Sequence, residues 1–178
     1  YKCFSGCTGL ISVEIPDSVP SISKYAFAIC QNLKSVTIGS GVTYIDNYAF
    51  DNCISLTSIT IPNSVETIGE ESFKYCTSLT SIVIPDSVTD IGINSFASCY
   101  GLTSINIGNG VKSFSRGSFC YCKSLTSIVI PDNVTNIGSS AFLGCTSLNS
   151  VTIGSGVTYI GYDSFRDCTS LTSIVIPD

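Results

Sequence analysis

Apolar side chains recur along this chain at fixed offsets within a unit of 23 residues. Each unit has a Phe, a Cys three residues later, a Leu three residues after the Cys, then a Val or Ile and a final Ile. The Cys column consists of Cys7, Cys30, Cys53, Cys76, Cys99, Cys122, Cys145 and Cys168. One unit cannot bury these side chains alone, whereas stacked units cover one another. The pattern therefore predicts a solenoid of repeated units.

Each unit is predicted to contain a short strand, a second extended piece and a turn. In the unit that begins at Cys76, residues 81–84 alternate polar and apolar positions, which is typical of a half-buried strand. Pro85 ends that strand, because proline has no N–H to donate to a ladder. Ile91 is expected to point inward from the second extended piece. Phe96 is expected to lie on a helical or 3₁₀ turn that leads to the next cysteine.

The repeat accounts for the whole chain, residues 1–178, as one array of about 7.7 units. Strands from successive units are expected to pair in parallel, roughly 4.8 Å apart. Neither end has the atypical polar unit that solenoids use as a cap. We therefore expect an excerpt of a longer array without end caps.

The chain repeats the motif Phe-x-x-Cys-x-x-Leu-x-Ser-(Ile/Val)-x-Ile-Pro-(Asp/Asn)-Ser-Val-x-x-Ile-Gly. This motif resembles the BspA-like class of 23-residue leucine-rich repeat, which occurs in bacterial and protozoan surface proteins. The resemblance implies an α/β solenoid, mostly β: a right-handed superhelix with a parallel sheet on the concave side. Short 3₁₀, helical or extended segments would form the convex side. It also implies adhesion, with an extracellular or cell-surface location and a protein partner on a host, matrix or cell surface.

Three units depart from the motif, because Gly replaces the Pro that follows the strand. These positions are Gly39, Gly108 and Gly154. Residues 33–50 and 148–165 are near copies, five units apart, which indicates duplication of a block of units.

Composition excludes several function classes. The net charge is −5, with 8 Lys and Arg, so there is no basic stripe for nucleic acid. The chain has no His, which removes the commonest general base and metal ligand. No nucleophile stands beside a base and no nucleotide loop is complete, so we expect neither an enzyme nor a cofactor. No apolar run is long enough for membrane insertion within this segment.

The Cys column is predicted to be a buried ladder of free thiols. Zinc sites need paired cysteines, and here the cysteines come singly along a stack. Cys3 stands where other units have Ala or Ser, so we expect it to be buried. Cys120 stands at a variable position, so we expect an exposed and reactive thiol. Ten cysteines without disulfide spacing favour a reducing compartment, which opposes a cell-surface location unless the habitat is anaerobic.

Two columns are predicted to face outward from the concave sheet, because side chains alternate along a strand. One column is Ser in every unit and the other varies. The candidate binding face is Ser35, Thr37, Ser58, Thr60, Ser81, Val83, Ser104, Asn106, Ser127, Val129, Ser150 and Thr152. The serines either fit a crowded surface and bond within the ladder, or form an uncharged platform for a protein or carbohydrate. In the second case the variable column sets specificity.

Other candidates are tyrosines and one sequon. Tyr25 with Tyr48, Tyr44 with Tyr159, and Tyr75 with Tyr121 stand at matching positions, either as interface anchors or as covers of the core. Asn133 begins an Asn-x-Thr sequon, a possible glycosylation site in a eukaryotic secreted protein.

The leading hypothesis is a non-enzymatic protein-interaction or adhesion module that binds through the concave sheet. An alternative is a subunit of an extracellular fibre, in which the chain binds itself by end-to-end stacking at apolar ends implied at Tyr1 and Asp178. Carbohydrate binding by the Ser and Thr columns is a third hypothesis. It is weakened by Val83, Val129 and Val175, which interrupt the second column.

Overall fold

The computed structural model describes residues 2–177, which form a parallel β-solenoid of short strands with no helix among them. Tyr1 and Asp178, where apolar ends are predicted, lie outside the described residues. The strands are β1 Ser12–Ile15, β2 Ser21–Ile22, β3 Ser35–Ile38, β4 Tyr44–Ile45, β5 Ser58–Ile59, β6 Thr67–Ile68, β7 Ser81–Ile84, β8 Asp90–Ile91, β9 Ser104–Ile107, β10 Ser113–Phe114, β11 Ser127–Ile130, β12 Asn136–Ile137, β13 Ser150–Ile153 and β14 Tyr159–Ile160.

Each unit contributes one strand to each of two walls. The odd-numbered strands form the wall that we call the first sheet, and their partners lie one unit apart, as in Ser12 with Ser35. The even-numbered strands form the second sheet, which is continuous over seven strands from β2 to β14. The parallel pairing and the register of one full unit confirm the predicted solenoid.

The first sheet is divided into three parts, β1-β3-β5, β7-β9 and β11-β13. Four-residue pairing occurs where a unit with Gly after its strand stacks on a unit with Pro there. The Gly108 N–H extends the ladder by donating to the carbonyl oxygen of Ile84 at 2.8 Å. Pro85 and Pro131 have no such N–H, and the sheet is interrupted just before their strands, β7 and β11. The Pro-to-Gly departures therefore coincide with the pairs in which four residues match, although β5, which precedes Pro62, still pairs two residues with β3.

The Gly-containing turns lie directly on the preceding Pro-Asp turns. A Cβ atom on Gly41 would overlap the carbonyl oxygen of Asp17, so only glycine fits. The Asp17 carboxylate accepts a hydrogen bond from the Ser40 N–H at 2.6 Å. The same bond joins Asp86 to Asn109 at 2.7 Å and Asp132 to Ser155 at 2.8 Å. Each Asp therefore fastens a Pro unit to the Gly unit that follows.

The segment that returns to the next cysteine is not the predicted helical or 3₁₀ turn. Within residues 23–30 the N–H of Ala26 donates to the Ser23 carbonyl, whereas the N–H of Tyr25 donates to Asn47 in the next unit. Tyr25 and Ile29 have φ angles of 59° and 62°, which no helix contains. Every second N–H group of this segment donates to a carbonyl of the next unit, so the segment cannot form the continuous hydrogen bonds of a helix. The segment is a run of turns that serves as a third wall.

The core is a column of Phe side chains beside the Leu and Ile columns. Neighbouring rings stack with centroids between 5.1 Å for Phe73–Phe96 and 5.5 Å for Phe119–Phe142. Phe114 replaces an Ile of the second sheet and meets the edge of the Phe119 ring at 5.7 Å. Offset stacking and edge contacts are both favourable for aromatic rings.

The Cys column is buried from Cys30 to Cys168, as predicted, and its members are free thiols. Two cysteines, Cys3 and Cys120, lie outside this column, and the predictions of a buried Cys3 and an exposed Cys120 are wrong. Cys3 is exposed. Cys120 is 8% exposed, and its column is equally inward-facing at Ala28 and Ala97. Variation along this column, which suggested exposure, therefore does not indicate an outward position.

Candidate interaction surface

The predicted binding residues lie together on one surface. All twelve, from Ser35 to Thr152, are exposed on the outer side of the first sheet, while the side chains between them are inward-facing. We call this surface the first-sheet face. It is the face expected to be concave.

The hydroxyls of the Ser column are not used inside the fold. In the neighbouring Thr column, two hydroxyls are used: Thr57 Oγ1 donates to the Lys34 carbonyl at 3.2 Å, and Thr103 Oγ1 to the Thr80 carbonyl at 3.0 Å. Among residues 2–177, no column serine from Ser35 to Ser150 donates a side-chain hydrogen bond to another residue. The side-chain bonds within the ladder that one interpretation of this column expects are therefore absent among the described residues, and the platform for a partner stays a prediction.

Two hollows lie side by side on the first-sheet face. The first has a volume of about 780 Å³ and contains Val83, and the second has a volume of about 530 Å³ and contains Val129. Asn106 and Asn109 line both hollows. The two valines are 60% and 64% exposed, which is unusual for aliphatic side chains in a regular strand.

Each hollow has one charged lining residue, Asp86 in the first and Asp132 in the second. Both carboxylates are exposed, and both use Oδ1 to accept the backbone N–H of the next unit. Oδ2 of each carboxylate has no hydrogen-bond partner among the described residues. The surface is thus apolar and hydroxyl-rich at its centre, with negative charge on one side.

The predicted tyrosine pairs lie elsewhere. Tyr25 and Tyr48 stack on the outer side of the turn wall at 4.6 Å, with the Lys24 ammonium 5.5 Å and 5.6 Å from the two rings. Tyr75 and Tyr121 are 40% and 43% exposed on the same wall. The remaining pair, Tyr44 and Tyr159, lies on the second sheet. The sequence suggested these residues but not the cation–π contact of Lys24 with Tyr48, because that contact joins residues about one unit apart.

The amide of Asn133 is engaged in the fold. Its Nδ2 donates to the carbonyl oxygens of Asn109 and Val111 at 2.5 Å and 2.6 Å. A glycan would be attached at this same nitrogen. Glycosylation of Asn133 stays a prediction.

Burial changes the chemistry of the thiols. Burial raises the pKa of Cys99 to about 12, and burial together with the neighbouring Cys30 thiol raises the pKa of Cys53 to about 12. Burial also raises the pKa of Cys120, although the Lys74 ammonium acts in the opposite direction. A reactive thiol needs a lowered pKa and exposure, and Cys120 has neither. Residues 2–177 contain no cluster of three or more Cys, Asp or Glu side chains suited to a metal ion, and no helix that could span a membrane.

A family model identifies the family to which this chain belongs. A family model described as the BspA type leucine rich repeat region, in six copies, matches residues 1–126 and 112–178, which together span the chain. The chain belongs to the BspA-type leucine-rich repeat family.

Solved structures of bacterial leucine-rich repeat proteins are similar to this BspA-type array. A T. pallidum leucine-rich repeat protein is 34% identical with a TM-score of 0.76, over 83% of this chain and 69% of that one. A protein from Bacteroides ovatus is 25% identical with a TM-score of 0.67, over 99% and 69%. A leucine-rich cell surface protein from Faecalibacterium prausnitzii is 28% identical with a TM-score of 0.64, over 96% and 61%. No curated protein matches the chain significantly.

The first unit leaves an apolar cavity of about 350 Å³, lined by Phe4, Leu10, Ile22 and Phe27 among others. A further unit of the same array would cover this cavity as fully as a second molecule would. The cavity therefore does not favour the fibre hypothesis over a longer array.

Proposed function

We propose that this BspA-type array is a non-enzymatic protein-interaction module that acts in adhesion and binds its partner through the first-sheet face. The single observation that supports this most strongly is the contrast between the two hydroxyl columns. The Thr57 and Thr103 hydroxyls bond within the fold, whereas the Ser hydroxyls and the Asn106 amide stay available to a partner. Protein interfaces combine apolar contacts with direct hydrogen bonds, and this face offers exposed valines beside unused hydrogen-bond donors.

The proposal includes an extracellular or cell-surface location. The similar F. prausnitzii protein is described as a cell surface protein, which supports this at the level of the family. The cysteine content, which opposed the location on composition alone, is compatible with it. Most of the thiols are buried with raised pKa values, so they resist oxidation in the folded array.

Binding to immobilised matrix and serum proteins, measured by biolayer interferometry, tests the proposal. Two double variants from the same units provide the comparison. Ser104→Lys with Ser127→Lys adds two charges to the first-sheet face, and Ser113→Lys with Asn136→Lys adds two charges to the second sheet. We expect the first variant to bind any partner at least tenfold more weakly, because a buried unpaired charge costs more than about 1.4 kcal/mol.

The second variant should bind as the unsubstituted array does. Equal binding by both variants would place the interface elsewhere. Loss of binding by the second variant alone would assign it to the second sheet.

A further inference from the structure

The exposed valines of the first-sheet face occur in every second unit. Val83, Val129 and Val175 are 60%, 64% and 76% exposed, and polar Asn106 and Thr152 stand between them. The spacing of these apolar side chains is therefore two units of the solenoid. A ligand that lies along the face meets one valine at each such step.

This spacing matches one backbone conformation. Parallel strands lie about 4.8 Å apart, so the valines are separated by roughly 9.6 Å. A polyproline II segment presents the same face every three residues, or about 9.3 Å. A β-strand does so every roughly 6.7 Å, and an α-helix after seven residues, or about 10.5 Å. Over two valine steps, the difference between the valine separation and the repeat length of the ligand is smallest for polyproline II.

The hydrogen-bonding groups of the face also suit such a segment. The strand backbone faces neighbouring units, so only side chains can bond a ligand lying on it. A polyproline II segment has no internal hydrogen bonds, and its carbonyl groups need donors. The free hydroxyls of Ser81, Ser104 and Ser127 supply one donor per unit along the row beside the valines.

The charges have the same spacing of two units. Asp86 follows β7 and Asp132 follows β11, so each carboxylate lies beside one hollow and its valine. These are the charged residues that line the hollows, and both are negative. A ligand with a basic side chain in every third position would place one cation near each carboxylate.

We propose that the first-sheet face binds an extended protein segment in the polyproline II conformation, with proline at every third position and a Lys or Arg beside it. The prolines rest on Val83 and Val129, one in each hollow. The segment runs along the solenoid axis, and its carbonyl groups accept hydrogen bonds from the Ser column. This inference rests on the proposed function, since it names the class of partner for the same surface.

Fluorescence anisotropy with two labelled peptides of the same composition tests this proposal. One repeats Pro-Ala-Lys over about 12 residues, and the other has the same residues without a three-residue period. We expect the array to bind the periodic peptide at least tenfold more tightly. Equal affinities would overturn the proposal, since charge alone would then explain binding.

Two variants test the spacing. Val83→Thr should weaken binding roughly fivefold through lost apolar contact. Val83→Thr combined with Thr60→Val restores the number of valines but separates them by three units, so it should bind no better than Val83→Thr alone. Thr occupies this column at Thr37, so the substitution suits the fold. Full binding by the double variant would overturn the match of spacing.

The same measurements separate this inference from the proposed function. If an immobilised matrix protein still binds, and the Ser104→Lys with Ser127→Lys variant abolishes that binding, the face is an interface. Failure of the periodic peptide would then reject only the polyproline II partner.

Discussion

The Sγ atom of Cys76 donates a hydrogen bond to the carbonyl oxygen of Phe50, 26 residues earlier, at 3.4 Å. The same bond recurs along the buried column, at 3.1 Å for Cys53 and 3.2 Å for Cys99. Each of these carbonyls also accepts a backbone N–H, as Phe50 does from Cys53 at 3.3 Å, so the thiol supplies a second donor to a buried oxygen that has two lone pairs. The column thus has a structural role that burial alone did not suggest.

Removing one of these thiols should destabilise the array. Cys99→Ala removes the thiol donor from the Phe73 carbonyl, which keeps only the Cys76 N–H at 3.2 Å, and it opens a small cavity. We therefore expect a loss of about 1–2 kcal/mol in the free energy of unfolding. Cys120→Ala is the matched control, because Ala28 and Ala97 already occupy that column. Urea denaturation measures both variants. Equal losses would show that the bond to Phe73 contributes nothing specific.

The folded array should expose few thiols to a disulfide reagent. Cys3 and Cys7 are the exposed cysteines, and the other eight are buried. At pH 8 we expect these two to react quickly with Ellman's reagent and the others to react only as the array unfolds. Fast reaction of Cys120 would contradict its position in the structure.

Asp51 should make stability depend on pH. Burial and, to a smaller extent, the nearby Glu71 raise the pKa of this half-buried carboxyl to about 6, against the opposite effect of Lys74. The folded pKa lies above the unfolded value of about 3.9, so its contribution to stability is present below pH ~4 and lost as the pH rises through ~6. Asp51→Asn should therefore stabilise the array at pH 7 by about 1–2 kcal/mol, with no gain at pH 4.

Thermal denaturation at both pH values checks this prediction. Glu14→Gln, at an exposed position on the first sheet, is the control and should show no such difference. A gain for Asp51→Asn that is the same at pH 4 and pH 7 would mean that the carboxyl charge is not the cause.

The glycine that lies on the preceding Pro-Asp turn should not tolerate replacement by a residue with a side chain. A Cβ atom on Gly110 would overlap the Asp86 carbonyl oxygen, whereas one on Gly9 would meet nothing within 4 Å. We expect Gly110→Ala to cost about 3 kcal/mol or more and Gly9→Ala to change stability by less than about 0.5 kcal/mol. Urea denaturation compares the two, and a Gly110→Ala array as stable as Gly9→Ala would contradict the stacking described above.

The repeat made the core predictable. The 23-residue period placed the Leu, Ile, Phe and Cys columns inward and the Ser column outward, because the same side chain must meet the same neighbours in every unit. Where units differ, prediction was weaker. Variation along its column predicts an exposed Cys120, yet Ala28, Ala97 and Cys120 of this column are all buried.

Features that depend on pairs of units were not predictable from one unit. The sequence shows that Gly39, Gly108 and Gly154 replace the Pro of the motif. Their effect on the pairing of the first sheet depends on a second unit, because the glycine N–H donates to a carbonyl of the strand in the preceding unit. The turn after the second sheet was predicted as helical or 3₁₀, since Ser and Phe in that spacing are compatible with a helix. Hydrogen bonds such as Tyr25 to Asn47 in the next unit exclude it.

A photocrosslinking residue placed on each sheet tests the binding face most directly, because it captures a partner of any identity. Benzoylphenylalanine at Val129 lies on the first-sheet face, and at Asn136 it lies on the second sheet of the same unit. Each labelled array is added to cultured epithelial cells, irradiated and recovered under denaturing conditions. We predict a crosslinked cell-surface protein from position 129 and none from position 136. Crosslinking from position 136 alone would contradict the assignment of the first-sheet face as the binding surface.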